Sequence, residues 1–362
     1  MDDARVYKAF EENGIYAGVN SMKELKKRGK IVMQEKAQCA PKFDHNYDMC
    51  LECTAKIMTA YNQMKPEDQR QYLKLRNKFI DKDYNPPMPL ALFQGWRIGV
   101  HRIFPHPELV IQVTEIFSTN NIQHPHYEDL SVSIEASKFK HSCSANCVLE
   151  SVPTEDGGWE FTIRNVSRVI QWDYLTVNRF GHDLGMQNLA ARRKYLLENH
   201  GFKCECDLCQ IEENNGDNYR YELYQNFKAQ SDRLLEDTRK AHEAKQFHRE
   251  EEIFRRGVAC YREMYKYAKE CDAPRSLITD KILKEGLRAA IRGHIHCILY
   301  TFNKKQQELF KNESEAFAKA GLAIDKIVSG TESDSYRFWI ARSGENFEEY
   351  VKQVMYSGAQ KW

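Results

Sequence analysis

Cys204-Glu205-Cys206-Asp207-Leu208-Cys209 places three thiols within six residues, and no other stretch of this 362-residue chain says as much about how it folds. A C-x-C-x-x-C run supplies three of the four ligands that a closed tetrahedral zinc site requires. The fourth has to come from a distant segment, so a metal here would tie two parts of the chain together. Glu205 and Asp207 stand between the thiols, which does not suit cysteines buried as plain apolar packing. Two segments can supply the missing ligand. One is Phe139-Lys140-His141-Ser142-Cys143-Ser144-Ala145-Asn146; the other is Cys50-Leu51-Glu52-Cys53, a second C-x-x-C. Spacing alone does not choose between them.

The composition is that of a globular chain of two to three domains, with 42% apolar and 29% charged residues. Lys plus Arg (53) nearly cancels Asp plus Glu (52), so global charge gives no drive toward nucleic acid or an anionic membrane. Met1-Asp2-Asp3-Ala4-Arg5 is polar and acidic, without the apolar core of a signal peptide. No apolar run approaches the roughly 20 residues of a membrane span. Eleven cysteines in such a chain read as reduced thiols and metal ligands rather than a disulfide framework. The expected compartment is the cytoplasm, the nucleus or both. Met22-Lys23-Glu24-Leu25-Lys26-Lys27-Arg28-Gly29-Lys30 reads as a solvated basic turn, with a nuclear signal as the alternative.

Along the chain, Gly14-Ile15-Tyr16-Ala17 and Ile31-Val32-Met33 predict strands on either side of that turn. Residues 47–82 carry Met, Gln, Lys and Tyr at helical spacing and end at Asn85-Pro86-Pro87-Met88-Pro89, so 39–89 reads as a helical insert. Mixed structure is expected over 90–180. Its clearest element is a hairpin, with Cys147–Val152 facing the strictly alternating Trp159-Glu160-Phe161-Thr162-Ile163-Arg164 across a Gly157-Gly158 turn. A short amphipathic helix is expected at 187–199. From Tyr219 the strand signals stop, and helices are expected near 221–244, 247–271, 276–302, 305–328 and 335–356, with turns at Ala273-Pro274, Gly330 and Gly344. Paired helices of this length suggest a superhelical stack, although no clean 34-residue repeat is present.

Three motifs resemble a SET domain with its post-SET cysteines, in order and in spacing. They are Phe139-Lys140-His141-Ser142-Cys143-Ser144-Ala145-Asn146, Leu175-Thr176-Val177, and Phe202-Lys203-Cys204-Glu205-Cys206-Asp207-Leu208-Cys209. Over residues 12–209 the chain looks most like the SET-and-MYND (SMYD) branch of S-adenosylmethionine-dependent protein-lysine methyltransferases. The resemblance implies an α+β SET fold, with short β-sheets around a pseudoknot, followed by an all-helical TPR-like C-terminal domain. It divides the chain into the N-terminal half of SET (1–38), the insert in the MYND position (39–89), the C-terminal half of SET (90–203), the post-SET zinc segment (204–218) and the helical domain (219–362). It also implies that Cys143 joins Cys204, Cys206 and Cys209 on one structural Zn2+.

The same resemblance assigns cofactor contacts one position at a time. Glu12-Asn13-Gly14-Ile15-Tyr16-Ala17 is similar to the family's G-x-G-L-F-A turn, which places Asn13, Gly14 and Ile15 against the cofactor. His141 and Lys140 fall at the motif positions beside it, Phe202 at the aromatic near the adenine, and Asn120 at an asparagine of an earlier segment. The chain also departs from the pattern. Lys140 stands for the motif asparagine and Ala145 for its proline. The family's G-E-E-L-T-x-x-Y reads Trp172-Asp173-Tyr174-Leu175-Thr176-Val177-Asn178-Arg179-Phe180, so the tyrosine slot holds Arg179, or Phe180 with one residue inserted. Tyr174 is the neighbouring source of a hydroxyl. The MYND ligands reduce to Cys50 and Cys53.

Methyl transfer from a sulfonium to a lysine amine is an in-line displacement. It needs alignment of donor and acceptor and a neutral amine, which a desolvating channel favours. Backbone carbonyls and a tyrosine hydroxyl ordinarily orient the groups. Two expectations follow. One is a divergent protein-lysine methyltransferase; the other is a catalytically inactive SET-fold scaffold that binds a protein partner through its helical domain.

Overall fold

The alternation of Trp159, Phe161 and Ile163 with polar residues decides the central sheet, because a strand turns alternate side chains to one face. In the computed structural model these three are 6%, 0% and 0% exposed on β8 (Trp159–Asn165). Residues 7–12, 15–43, 49–80, 90–123, 130–179, 182–216, 219–270, 278–331, 333–344 and 346–357 are described. The chain divides into two units, residues 1–180 with 189–215 and residues 181–188 with 216–362.

In the first unit β8 lies between β7 (Cys147–Pro153) and β3 (Ile31–Lys36), antiparallel to both. The β7–β8 register runs from Cys147 opposite Asn165 to Pro153 opposite Trp159, so the expected hairpin is present. Three two-stranded sheets accompany it. A hairpin pairs β1 (Tyr7–Glu12) with β2 (Ile15–Ser21). Another pairs β4 (Ile122–Gln123) with β5 (Leu130–Ser131). The third sets β6 (Lys140–His141) parallel to β9 (Thr176–Val177). Parallel neighbours need a crossover, and β7 and β8 lie within this one. The N-terminal strand is longer than expected and is preceded by β1, whose Tyr7-Lys8-Ala9-Phe10 the sequence reading had passed over.

Helices α1 (Leu51–Gln63) and α2 (Pro66–Tyr72) occupy the expected insert, but helix continues further. Residues 90–120 form α3 (Leu90–Ile103) and α4 (Pro107–Asn120), where mixed structure had been expected. The physical reason is visible in the burial: Phe93, Trp96 and Val100 face inward on α3, and Val110, Val113 and Phe117 on α4, at three- and four-residue spacing. Pro107 sits in the first turn of α4, where its missing N–H costs nothing. The Trp96 indole donates to Thr54 Oγ1 at 2.9 Å and the Tyr72 hydroxyl to Val113 O at 3.1 Å, tying the two pairs of helices together. The 85–89 boundary lies outside the described residues. After α5 (Ile134–Ser137) the unit closes with α7 (Leu189–His200) and α8 (Asp207–Asn215).

The second unit contains α6 (His182–Gly185) and the long helices α9 (Tyr219–Glu243), α10 (Phe247–Glu270), α11 (Lys284–His296) and α12 (Lys304–Val328), followed by α13 (Asp334–Ile340) and α14 (Asn346–Ser357). Single π-helical stretches, Ile278–Leu283 and Cys297–Thr301, bracket α11. The last expected helix is split at Gly344, which takes a left-handed φ of 57°. The Ala273-Pro274 turn lies outside the described residues. Trp339 is fully buried against Gly321, where any side chain would run into the indole, and its Nε1 donates to Asp325 Oδ2 at 2.7 Å. No helix among the described residues is long and apolar enough to cross a membrane.

Candidate metal centre and ligand pocket

Two backbone devices bring the cysteines together. Strand β6 is held to β9 and hands the chain to Cys143, with Ser142 N–H donating to Val177 O at 3.1 Å. At the other end Gly201 takes φ 70° and turns the chain off α7 toward the cysteine run. A Cβ there would collide with Cβ of Lys78, so the turn needs glycine twice over.

The sulfurs of Cys143, Cys204, Cys206 and Cys209 lie within 4.8 Å of one another. Cys143 Sγ is 3.9 Å from Cys204 Sγ and 3.5 Å from Cys209 Sγ. Four sulfurs about 2.3 Å from a tetrahedral zinc stand about 3.8 Å apart, so the donor set and spacing fit that ion. All four are free thiols. The other three thiols push Cys143 up and pull Cys206 down, as expected of protons shared among sulfurs that a divalent ion would replace. Of the two possible fourth ligands, the geometry selects Cys143. Cys50 instead caps α1, its sulfur accepting the Cys53 N–H at 3.3 Å. Among the described residues this is the one group of three or more His, Cys, Asp or Glu whose ligand atoms converge so closely.

Arginines on α7 brace the cluster. Arg192, 1% exposed, donates through Nη2 to Cys209 Sγ at 3.8 Å and pairs with buried Glu212. Arg193 donates to Cys204 O at 3.2 Å and forks onto Glu213 at 2.7 and 2.8 Å. His141 Nε2 lies 3.4 Å from Cys143 Sγ. Burial, and then the Arg179 guanidinium, push His141 down to about 3, so the ring is neutral. Its Nδ1 accepts the Arg179 N–H at 3.1 Å, which leaves the proton on Nε2, directed at the sulfur.

Beyond His141 lies Phe202. The His141 ring is 5.8 Å from it, the His200 ring 6.3 Å, and the Arg76 guanidinium 5.3 Å. His200 is buried and driven down to about 3 by burial and then by Arg179. Its Nδ1 is 3.1 Å from Thr119 O and must donate to that carbonyl, so Nε2 is a bare acceptor. That nitrogen is buried and without a hydrogen-bond partner. Cations gather around it: burial lowers Lys78 to about 8, and burial with Arg76 lowers Arg179 to about 10.

The expected residues divide into three sets. His141, Phe202 and Arg179 meet beside the four cysteines. Arg179 is tied down, its Nη2 donating to Ser137 O at 2.8 Å and Phe139 O at 2.9 Å. Lys140 and Tyr174 meet each other instead: Lys140 Nζ lies 4.4 Å over the Tyr174 ring and 5.8 Å from Phe10. Asn120 is buried, and its amide is spent on Arg76 O at 2.7 Å and Ile116 O at 2.9 Å, so it holds the backbone of Arg76. Ile15 opens β2 opposite Glu12. Asn13, Gly14 and Phe180 lie outside the described residues.

Sequence reasoning passed over Arg76, His200, Arg192 and Asn146 as site residues. Asn146 donates to Tyr174 O at 2.8 Å and accepts Thr176 N–H at 2.9 Å, pinning the segment that leads into β9. Its place in the quoted motif could have marked it, as could the position of His200 two residues before Phe202.

A scan against known protein families finds no match. Over 80 residues, 22% of this chain, the sequence is 34% identical to Histone-lysine N-methyltransferase ASHR2 of Arabidopsis thaliana; the match spans about a fifth (19%) of that relative's length. A solved structure, the SET domain of LSMT bound to lysine and AdoHcy, aligns at TM-score 0.32 and 12% identity, over 97% of this chain and 95% of that one.

Proposed function

We propose that this chain is a SET-type, S-adenosylmethionine-dependent protein-lysine N-methyltransferase of the SMYD kind, with a structural zinc on Cys143, Cys204, Cys206 and Cys209. The observation that carries the proposal is the convergence of those four sulfurs on His141 and Phe202, which joins the quoted motifs into one site. The local likeness to a curated lysine methyltransferase supports the same class.

The residues around Phe202 fit the cofactor on two observations. Phe202 offers an aromatic face, and His200 Nε2 is a buried acceptor that an N–H donor would satisfy. When bound, the cofactor would supply an electrophilic methyl group. The chain's own part is to orient and to desolvate. Phe202 and His141 would hold the adenine end, and β2 would flank it. The field of Arg76, Lys78 and Arg179, which already lowers His200, disfavours a second ammonium and so favours the incoming lysine as its neutral amine. The same field opposes the sulfonium, so the demethylated product should bind tighter than the cofactor.

The helical second unit is read as a TPR-like surface for a protein partner, and the setting is read as cytoplasmic or nuclear. The direct test is transfer of labelled methyl from S-adenosylmethionine to a protein lysine. Transfer that is lost when Phe202 is replaced by Ala supports the reading; no transfer to any protein in a cell extract contradicts it.

A second reading, an inactive SET-fold scaffold, is favoured by one observation. Arg179, which stands at the tyrosine slot if no residue is inserted, has its guanidinium committed to two backbone carbonyls and so offers no hydroxyl. If Arg179→Tyr creates methyl transfer that the natural chain lacks, the scaffold reading holds.

A further inference from the structure

The basic turn has a neighbour that the sequence did not reveal. Residues 21–30 run alongside residues 165–174. Gly29 N–H donates to Asn165 O at 2.7 Å, Leu25 and Val169 exchange bonds of 2.8 and 3.2 Å, and Ser21 N–H donates to Asp173 O at 2.9 Å. The strip so formed exposes Lys23, Lys26, Lys27, Arg28, Lys30 and Arg168. Six cations face two acids, and both acids are engaged: Glu24 pairs with Arg168 and Lys26, while Asp173 Oδ2 accepts the Ile170 N–H at 3.1 Å. Lys23, Lys27, Arg28 and Lys30 pair with no acid among the described residues, the strip's ion pairs being those of Lys26 and Arg168 with Glu24. In a chain of net charge +1 this is a local excess of positive charge.

At one end of the strip Trp172 is held at φ 71°, a left-handed conformation that glycine and asparagine adopt more readily than tryptophan. The turn enforces it, because Trp172 N–H donates to Ser21 O at 2.8 Å and Asp173 N–H to Ile170 O at 3.2 Å. Burial does not compensate, since the residue is 57% exposed, with Ile170 at 53% and Tyr174 at 47% on the same turn. A large aromatic that suits neither its backbone nor its solvent exposure indicates a use for the ring. Tyr174 continues the surface to Lys140 on β6, the strand that carries His141.

We infer that this strip docks the substrate polypeptide through an acidic segment that seats an apolar side chain on Trp172. The inference rests on the methyltransferase reading for the identity of the occupant. Charge complementarity selects an acidic partner over a lysine-rich one. The apolar trio gives it a seat that a nucleic-acid backbone would leave unused.

The test uses the full chain, zinc-loaded and without cofactor, and fluorescence anisotropy. The probes are a labelled glutamate-rich 12-residue peptide containing one Phe and one Lys, its counterpart with every Glu replaced by Lys, a 12-nucleotide single-stranded DNA, and phosphatidylserine vesicles. The acidic peptide should bind about tenfold tighter than the basic one. Trp172→Asn, which suits the left-handed turn but lacks the ring, should weaken it about fivefold without lowering the melting temperature. Lys27→Glu with Arg28→Glu should weaken it similarly, and Trp172→Phe should retain most of it. The inference is overturned if the acidic peptide binds no tighter than the basic one, if Trp172→Asn binds like the natural chain, or if DNA or vesicles bind tighter than the peptide. Peptide binding together with no methyl transfer to any protein in a cell extract would break the enzyme reading and leave the docking surface standing; methyl transfer in the extract with indifferent peptide binding would do the reverse.

Discussion

The two nitrogens of His141 face two differently built regions. On the Nε2 side stand four sulfurs, with the buried Arg192–Glu212 pair behind them. Nδ1 accepts from Arg179, and Phe202 and His200 pack nearby, where cations crowd and one buried acceptor has no hydrogen-bond partner. The first region is organised to hold itself together. The second gathers an unfavourable field around a buried acceptor, an arrangement that costs stability in the free chain and that a ligand can relieve. The contrast separates what fastens this fold from what it is shaped to receive.

The strongest way to break the contrast is Cys143→Ser. If the four sulfurs share one ion, removing one should forfeit much of a binding energy of order ~10 kcal/mol. Zinc content measured by atomic emission should collapse, and the segment around Cys204 should become protease-sensitive.

Next is Arg192→Leu, which strands the Glu212 carboxylate in a buried site. A loss of roughly 3–5 kcal/mol is expected in urea unfolding, with zinc still bound at saturating metal. A loss below about 1 kcal/mol would show that the pair contributes little.

The opposite side of His141 is probed by acid. The folded pKa of His200 is lowered from 6.5 to about 3, so its neutral form stabilises the fold. The unfolded chain takes up the proton first as pH falls, so the stabilising contribution is complete above about pH 6.5 and is lost progressively between there and pH 3. Between pH 7 and pH 5 that amounts to about 2 kcal/mol. His200→Gln should flatten the unfolding profile by this amount over that interval; an unchanged slope would place the acid sensitivity elsewhere.

The smallest effect belongs to Cys50→Ser. A hydroxyl caps a helix at least as well as a thiol, so zinc content should not change and the melting temperature should hold or rise slightly. A loss of zinc would reassign the fourth ligand.

The cysteine run was legible because metal-ligand spacing is short-range, and β8 because its alternation is strict. Helices α3 and α4 were not, since Gln94, Arg97, His101 and the glycines of α3 blur an apolar stripe that tertiary contact with Thr54 and the insert makes clear. Asn120 sat in a motif-like segment, but burial gave its amide to two backbone carbonyls. Arg192, Arg76 and His200 were invisible for a different reason. An arginine on a helix or a histidine before a glycine carries no signal until distant segments return to face it. The role of Trp172 likewise needed its φ, which sequence does not state.

The decisive measurement is calorimetric titration of the zinc-loaded chain with S-adenosylhomocysteine and S-adenosylmethionine. Saturable one-to-one binding of both is expected, with the neutral product the tighter ligand and His200→Gln weakening each. No heat of binding from either at millimolar ligand would contradict the pocket, and with it the proposed function.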